Sequence, residues 1–325
     1  MGGDFAPRNV VEGTLQALEE GRGRFSVVLV GDQEQIRKEF DSLGKQNACP
    51  VVHASEVITM HDAPNSALKT KKDSSIAVGV GLHKKGDAHA FVSAGNTGAV
   101  LSASTLILGR VRGVGRPTIG AMIPTAHGAC LLVDAGTNVD CKARHLYEFG
   151  VMGSVYVETM LGKSTPSVGL LSIGEEDTKG NEVSLDAFAL LKKSTLNFAG
   201  NVEGRDILKG AVDVVVCDGF VGNILLKFGE SVPGFFRARL LAYASRSVMN
   251  KLMVLAARSG LRTVMKELDY QEHGGVPLLG VNGVTIIGHG GSTAKAIKNM
   301  IFRAEEMIRH NVNSRIENAL QQHHD

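Results

Sequence analysis

Cys130-Leu131-Leu132-Val133-Asp134-Ala135-Gly136-Thr137-Asn138 holds four apolar residues in a row, then an acidic, glycine-bearing turn. An unbroken apolar run of this length suits a strand buried on both faces, as in a parallel sheet covered by helices. The strand is expected over 130–134. Similar runs occur at 25–30, 90–93, 118–123, 168–173, 213–217 and 284–287, and a weaker one at 51–53. Helical spacing fills the intervals at 10–20, 33–43, 97–108, 143–161, 184–191 and 293–319. Such alternation predicts an α/β fold with right-handed crossovers. No internal repeat or low-complexity linker marks a cut, so 1–325 reads as one domain, with room for two lobes around a crevice.

Composition narrows the class. Of 325 residues 39 are glycine, where an average share gives about 23. Hydrophobic residues make up 43% and charged residues 21%, which excludes a disordered chain. The glycines have no three-residue period, which excludes collagen. With 35 basic and 33 acidic side chains the net charge is +2, no basis for nucleic-acid binding. Cys49, Cys130, Cys141 and Cys217 form no CxxC pair and read as reduced thiols of a cytosolic protein. No signal peptide is visible, and no apolar run approaches the ~18 residues of a spanning helix. The expected location is cytoplasmic.

The strand ends carry the functional signal. They are followed by Gly31-Asp32, by Ala94-Gly95-Asn96-Thr97-Gly98, by Asp134 to Asn138, by Gly174-Glu175-Glu176-Asp177-Thr178-Lys179-Gly180-Asn181, by Asp218-Gly219-Phe220-Val221-Gly222-Asn223 and by Gly288-His289-Gly290-Gly291-Ser292. Gly31-Asp32 alone reads as a plain turn. If all six strands are parallel, their loops face one crevice, with helix N-termini and open backbone N–H groups turned toward an anion. Ser93–Gly98 is not a Walker A loop, because no Gly-Lys-[Ser/Thr] follows. Val78-Gly79-Val80-Gly81-Leu82-His83 fails the dinucleotide fingerprint at its third glycine. No zinc pattern and no GxSxG elbow occur, and His323-His324 read as a solvated tail. The expectation is no metal and no cofactor, with the nucleophile supplied by the substrate.

Collected in order, these loops resemble the bacterial phosphate acyltransferases of phospholipid synthesis, the PlsX family. The matching stretches begin at Met1-Gly2-Gly3-Asp4-Phe5-Ala6-Pro7 and Ser93–Ala99 and continue through Arg116-Pro117, Asn138-Val139-Asp140-Cys141-Lys142 and Met152-Gly153. They run on through Ile173–Glu176, Lys179–Asn181 and Asn201-Val202-Glu203-Gly204 to Val216–Asn223, Pro277–Gly280 and His289–Ser292. The resemblance implies a three-layer α/β/α fold with a mostly parallel sheet, similar to phosphotransacetylases and isocitrate/isopropylmalate dehydrogenases. It also implies transfer of a fatty acyl group from acyl carrier protein to inorganic phosphate, for use by a downstream membrane glycerol-3-phosphate acyltransferase. Two departures stand out. The short apolar strand usual before Met-Gly-Gly-Asp is missing from these residues, implying loss of a strand with consequences for stability and activity. The usual Gly-Ala-Asn is here Gly136-Thr137-Asn138.

The chemistry suits the residues. Phosphate is already an anionic nucleophile, so the protein's tasks are positioning and oxyanion stabilisation. Lys179, Asn223, His289 and Asp218 are the expected catalytic residues: Lys179 offsets phosphate charge and His289 donates to the thioester carbonyl or leaving thiolate. The 95–98 loop and the Gly222-Asn223 helix start are the expected backbone phosphate donors. Gly3, Asp4, Gly95, Asn96, Thr97, Gly98, Asp134, Asn138, Glu175, Glu176, Gly180, Gly219, Gly222 and Ser292 are the expected substrate-binding set. The carboxylates among them would repel phosphate unless they orient donors, act as base or cap helices.

Residues 231–268 read as a protruding helical hairpin. Apolar positions recur at helical spacing, and Arg237, Arg239, Arg246, Lys251, Arg258, Arg262 and Lys266 stud the same stretch. Its plain role is a homodimer contact. An apolar tip at Leu252, Met253, Val254 and Leu255 flanked by bases also suits peripheral contact with an anionic membrane, and the bases suit an acidic carrier protein. Two other functions fit the sequence: a phosphotransacetylase acting on short acyl-coenzyme A, and a non-catalytic membrane-surface scaffold.

Overall fold

The unbroken apolar runs become strands. The computed structural model describes residues 1–267 and 274–322. Leu268, His323 and His324 lie outside the described residues, as do the side chains of Lys266 and Glu267. The strands are β1 (Leu29–Gly31), β2 (Val51–His53), β3 (Ala90–Ser93), β4 (Thr118–Thr125), β5 (Gly128–Val133), β6 (Ser167–Leu171), β7 (Asn197–Val202), β8 (Val214–Val216), β9 (Val276–Leu279) and β10 (Val284–Ile287). β1 and β2 form a small parallel pair, and the other eight form one sheet ordered β3-β10-β9-β4-β5-β8-β6-β7. Val214, Val215 and Val216 are fully buried, as expected for a strand covered on both faces.

The described helices are α1 (Arg8–Gly21), α2 (Gln33–Ser42), α3 (Pro64–Thr70), α4 (Ser75–Lys85), α5 (Thr97–Ala103), α6 (Ala143–Leu161), α7 (Glu182–Lys193), α8 (Gly204–Ile207), α9 (Gly219–Ala244), α10 (Val248–Ala256), α11 (Arg258–Glu267), α12 (Ala294–Arg309) and α13 (Val312–Gln322). One apolar core joins α6, α7, α12 and α13 to one face of the sheet, and a second joins α4 and α5 to the other. Val11, Leu29, Ile36 and Phe40 form a third, small core under β1. The three-layer α/β/α reading holds.

Several local expectations change. The 25–30 run narrows to Leu29–Gly31, and 293–319 breaks into α12 and α13 where Asn311 turns left-handed at φ 52°. β7 and β9 lacked a sequence signal, because glycine, asparagine and proline interrupt their apolar pattern. The hairpin is three helices rather than two, and the first starts at Gly219, inside the site. α9 runs 26 residues through Pro233; Leu225 and Leu226 pack against the core, while Phe220, Ile224, Phe228, Phe235 and Phe236 are exposed.

Strand direction matters most. β10 is parallel to β3, β5 to β8, β8 to β6 and β6 to β7. β9 is antiparallel to both β10 and β4, and β4 is antiparallel to β5. Three reversals separate β10 from β5, so the carboxyl ends of β3 and β10 leave the sheet opposite those of β5, β8, β6 and β7. The single crevice lined by six loops required all these strands to be parallel, and the antiparallel β9 and the β4–β5 hairpin prevent that. Beside β3 a cleft of about 660 Å³ opens toward β1, lined by Val27, Val30, Phe91, Val92, Ile297 and Ile301 among others.

Candidate active site

At the β3/β10 end three segments meet. Gly288 N–H donates to the Ser93 carbonyl at 2.8 Å, joining the two strand ends. Asp4 N–H donates to the Gly290 carbonyl at 2.8 Å, which lays Gly3 and Asp4 against them. Asn96 is buried, and its side chain is fully engaged. Its Oδ1 caps α5 by accepting from Ala99 N–H at 3.0 Å, and its Nδ2 donates to the carbonyls of Thr59 and Asp62. Asn96 therefore anchors the 59–62 turn and offers no free group to a substrate. Ser292 Oγ is likewise used, donating to the His289 carbonyl at 2.6 Å. His289 is exposed, and its Nδ1 accepts from Gly291 N–H at 3.1 Å. Gly95 N–H donates to Ser93 Oγ, which leaves the backbone N–H groups of Asn96, Thr97 and Gly98 as open donors of this loop among the described residues.

At the opposite end β5 and β8 place two turns together. Asp134 N–H donates to the Cys217 carbonyl at 3.0 Å, and Gly219 N–H to the Asn138 carbonyl at 2.8 Å. The approach is so close that a Cβ at Gly222 would strike the Asp134 carbonyl oxygen, and one at Gly219 would sit 2.7 Å from Asn138 N. Only glycine fits both positions. This is a packing role, and it corrects the expected donor role of the helix start. Gly222 N–H is spent on the Asp218 carbonyl at 2.9 Å, and Asp218 Oδ1 caps Val221 N–H at 2.9 Å. Phe220 N–H is left open in the first turn of α9.

Asp134 is 0% exposed. Its Oδ1 accepts from Gly136 N–H at 3.0 Å and Thr137 N–H at 2.9 Å, and its Oδ2 accepts from Asn138 N–H and Nδ2, both at 2.8 Å. Burial pushes the carboxyl above its ordinary range, and these four donors pull the other way. A carboxylate so enclosed organises the 134–138 loop and cannot face phosphate. Asn138 Nδ2 also donates to the Pro117 carbonyl at 2.9 Å, fastening the segment after Arg116 to the same loop.

The loop after β6 adds charge. Glu175 reaches Arg205 at 3.5 Å and Asp177 pairs with Lys192 at 2.7 Å. Lys179 is exposed and makes no ion pair among the described residues. Asn223 is exposed beside Gly136, and its amide makes no hydrogen bond among the described residues. This end thus presents an unpaired ammonium and an unpaired amide, while the buried Asp134 carboxylate has both oxygens occupied by donors. Strand direction puts Lys179, Asn223 and Asp218 at one end of the sheet and His289, Asp4 and the 95–98 loop at the other.

No protein nucleophile stands out. Burial, followed by the Asp134 and Asp218 carboxylates, pushes the Cys141 thiol up to about 11, far from a thiolate at neutral pH. Cys217 is pushed up further for the same reasons. Among the described residues no three His, Cys, Asp or Glu side chains gather to hold a metal ion.

The three-layer fold, with two capped turns packed together after β5 and β8, sets the class: an α/β protein whose candidate site lies at the strand ends. Similar solved structures agree on the fold. A phosphotransacetylase from Streptococcus pyogenes superposes with a TM-score of 0.63 at 17% identity, covering 93% of this chain and 91% of its own. A branched-chain phosphotransacylase from Enterococcus faecalis gives 0.59 at 16% identity, covering 95% and 97%. The chain belongs to the fatty acid synthesis protein family, whose model matches residues 1–315. Among curated relatives, a phosphate acyltransferase of Pelotomaculum thermopropionicum is 50% identical over 311 residues, 95% of this chain and 90% of that protein. One from Geobacter sulfurreducens is 47% identical over 317 residues, 97% and 91%.

Proposed function

We propose that this chain is an acyltransferase that moves a fatty acyl group from acyl carrier protein to inorganic phosphate. A phosphate oxygen attacks the thioester carbonyl, the C–S bond breaks, and the products are an acyl phosphate and the carrier thiol. The observation that carries the reading is the β5/β8/β6 end, where Lys179 and Asn223 make no ion pair or side-chain hydrogen bond among the described residues while Asp134, Glu175 and Asp177 are engaged by other partners. Lys179 would offset the charge of bound phosphate. Asn223 and the Phe220 N–H would donate to it or to the oxyanion, worth several kcal/mol in a preorganised site. Asp218 acts through the α9 cap. Glu176 and Gly180 sit on the Lys179 loop, where Glu176 would orient the lysine. His289, grouped at the other end, is assigned no step here. Family membership and relatives at 50% identity support acyl transfer to phosphate.

The finer assignment is a cytoplasmic, peripherally membrane-associated homodimer whose product feeds a membrane glycerol-3-phosphate acyltransferase. Two surfaces support it. Phe220, Ile224, Phe228 and Phe235 expose an apolar stripe along α9 at helical spacing, suited to a second copy. On α10, Leu252, Met253 and Leu255 are exposed and Val254 half-buried, between Arg246, Lys251 and Arg258, suited to anionic lipid. No described helix is long and apolar enough to cross a membrane.

One assay tests the reading: phosphate-dependent thioester loss from palmitoyl-acyl carrier protein against acetyl-coenzyme A. Turnover of the carrier substrate alone supports it. Turnover of acetyl-coenzyme A alone would mean a short-chain phosphotransacetylase, and turnover of neither a scaffold.

A further inference from the structure

Asn201 lies on β7 and is 7% exposed. A bulge precedes it: the β6–β7 register slips between Val168 and Gly169, so Phe198 and Gly200 pair with neighbouring residues and Ala199 is extra. Gly200 takes φ +97°, a conformation that glycine permits. Bulges re-aim the side chains that follow, and here Asn201 pairs opposite Leu170 rather than Leu171. Its Nδ2 then donates to the Glu176 carbonyl at 2.8 Å. Lys179 N–H donates to that same carbonyl at 3.0 Å. Ser172 Oγ donates to the Lys179 carbonyl at 3.3 Å. Both backbone polar groups of Lys179 are thus tied down, and Asn201 is the tie that reaches across from another strand. Its Oδ1 is buried with no described partner, so the amide is held by this one bond through Nδ2.

We propose that Asn201 is a positioning residue for phosphate transfer: it fixes the Glu176–Lys179 turn so that the Lys179 ammonium is held over the site. This rests on the reading of Lys179 as the phosphate-binding cation. Without the Asn201 bond the turn keeps its own Lys179–Glu176 hydrogen bond but loses its anchor to β7. The lysine then samples more positions, and its contribution to phosphate binding falls.

The test is steady-state kinetics with palmitoyl-acyl carrier protein and inorganic phosphate on the full chain, for Lys179→Ala, Asn201→Ala and the double variant, with Asn201→Asp as a second substitution that sets a carboxylate oxygen against the Glu176 carbonyl. KM values do not depend on how much protein is active, so partial misfolding leaves the readout intact. The expected result is a phosphate KM raised roughly 3–10-fold by Asn201→Ala with the carrier KM within about twofold, and a double variant no worse than Lys179→Ala alone. An unchanged phosphate KM in both Asn201 variants, or losses that multiply in the double variant, would overturn the proposal. If Lys179→Ala itself leaves phosphate kinetics unchanged, the reading of the site has failed and this inference with it. If Lys179→Ala is impaired and Asn201→Ala is not, only this inference has failed.

Discussion

Asp134→Asn isolates the role of the buried carboxylate without changing its size. Oδ1 accepts from two backbone N–H groups, and Oδ2 from a third and from Asn138 Nδ2. An asparagine keeps one acceptor oxygen and turns an NH₂ group onto the other pair of donors, whichever way its amide is flipped. Two donors then lose their acceptor at a position with 0% exposure. Each unsatisfied buried donor costs about 1–3 kcal/mol, so the pair costs about 2–6 kcal/mol. The two retained bonds weaken from charge-assisted to neutral, while removal of a buried charge returns part of the loss. A net destabilisation of about 3 kcal/mol is expected, or about 5 °C in Tm for a chain of this length. Thermal melts and urea titrations measure it, alongside phosphate KM. A variant that melts within about 1 °C of the parent but has a strongly raised phosphate KM would refute the reasoning, because Asp134 would then touch substrate rather than hold the loop.

Gly222→Ala should cost about 1–3 kcal/mol through collision with the Asp134 carbonyl and cut kcat by roughly 10²-fold by displacing Asn223; parent-like kinetics would contradict the close approach. Asp62 is held down at about 2, first by the Lys71 ammonium and then by Thr59. Its stabilisation is therefore complete above the ordinary value of 3.8 and lost as pH falls from there toward 2. Lys71→Ala should flatten that acid limb in urea midpoints. Leu252→Asp with Leu255→Asp should abolish flotation with anionic vesicles at unchanged Tm; equal flotation would count against the lipid contact.

Much of the site was legible because its residues lie in short runs after strands. Asp134–Asn138 and Asp218–Asn223 are local motifs, and the need for glycine at 219 and 222 is visible as soon as the two turns touch. The roles were less legible. Asn96 read as a substrate ligand, yet its partners at Thr59 and Asp62 lie over thirty residues away, which no spacing rule reaches. Asn201 stands in a stretch that carries the family resemblance, yet no role for it was legible there, because its aim depends on a bulge whose extra residue is an ordinary alanine.

Hydrophobic periodicity is a local property, so the sequence by itself determined that buried strands alternate with helices, that glycine-rich turns follow those strands, and that a basic helical segment stands apart. Strand direction is a property of pairing between distant segments. Only the tertiary structure decided that β9 enters antiparallel between β10 and β4, and that β4 folds back on β5. Those reversals divide the five strand-end loops of the large sheet between its two ends, and the sixth, Gly31-Asp32, belongs to the separate β1–β2 pair. They gather Lys179, Asn223 and Asp218 at one end and leave His289 at the other. Burial decided the rest, turning Asp134 from a presumed ligand into the post around which the 134–138 loop is wound.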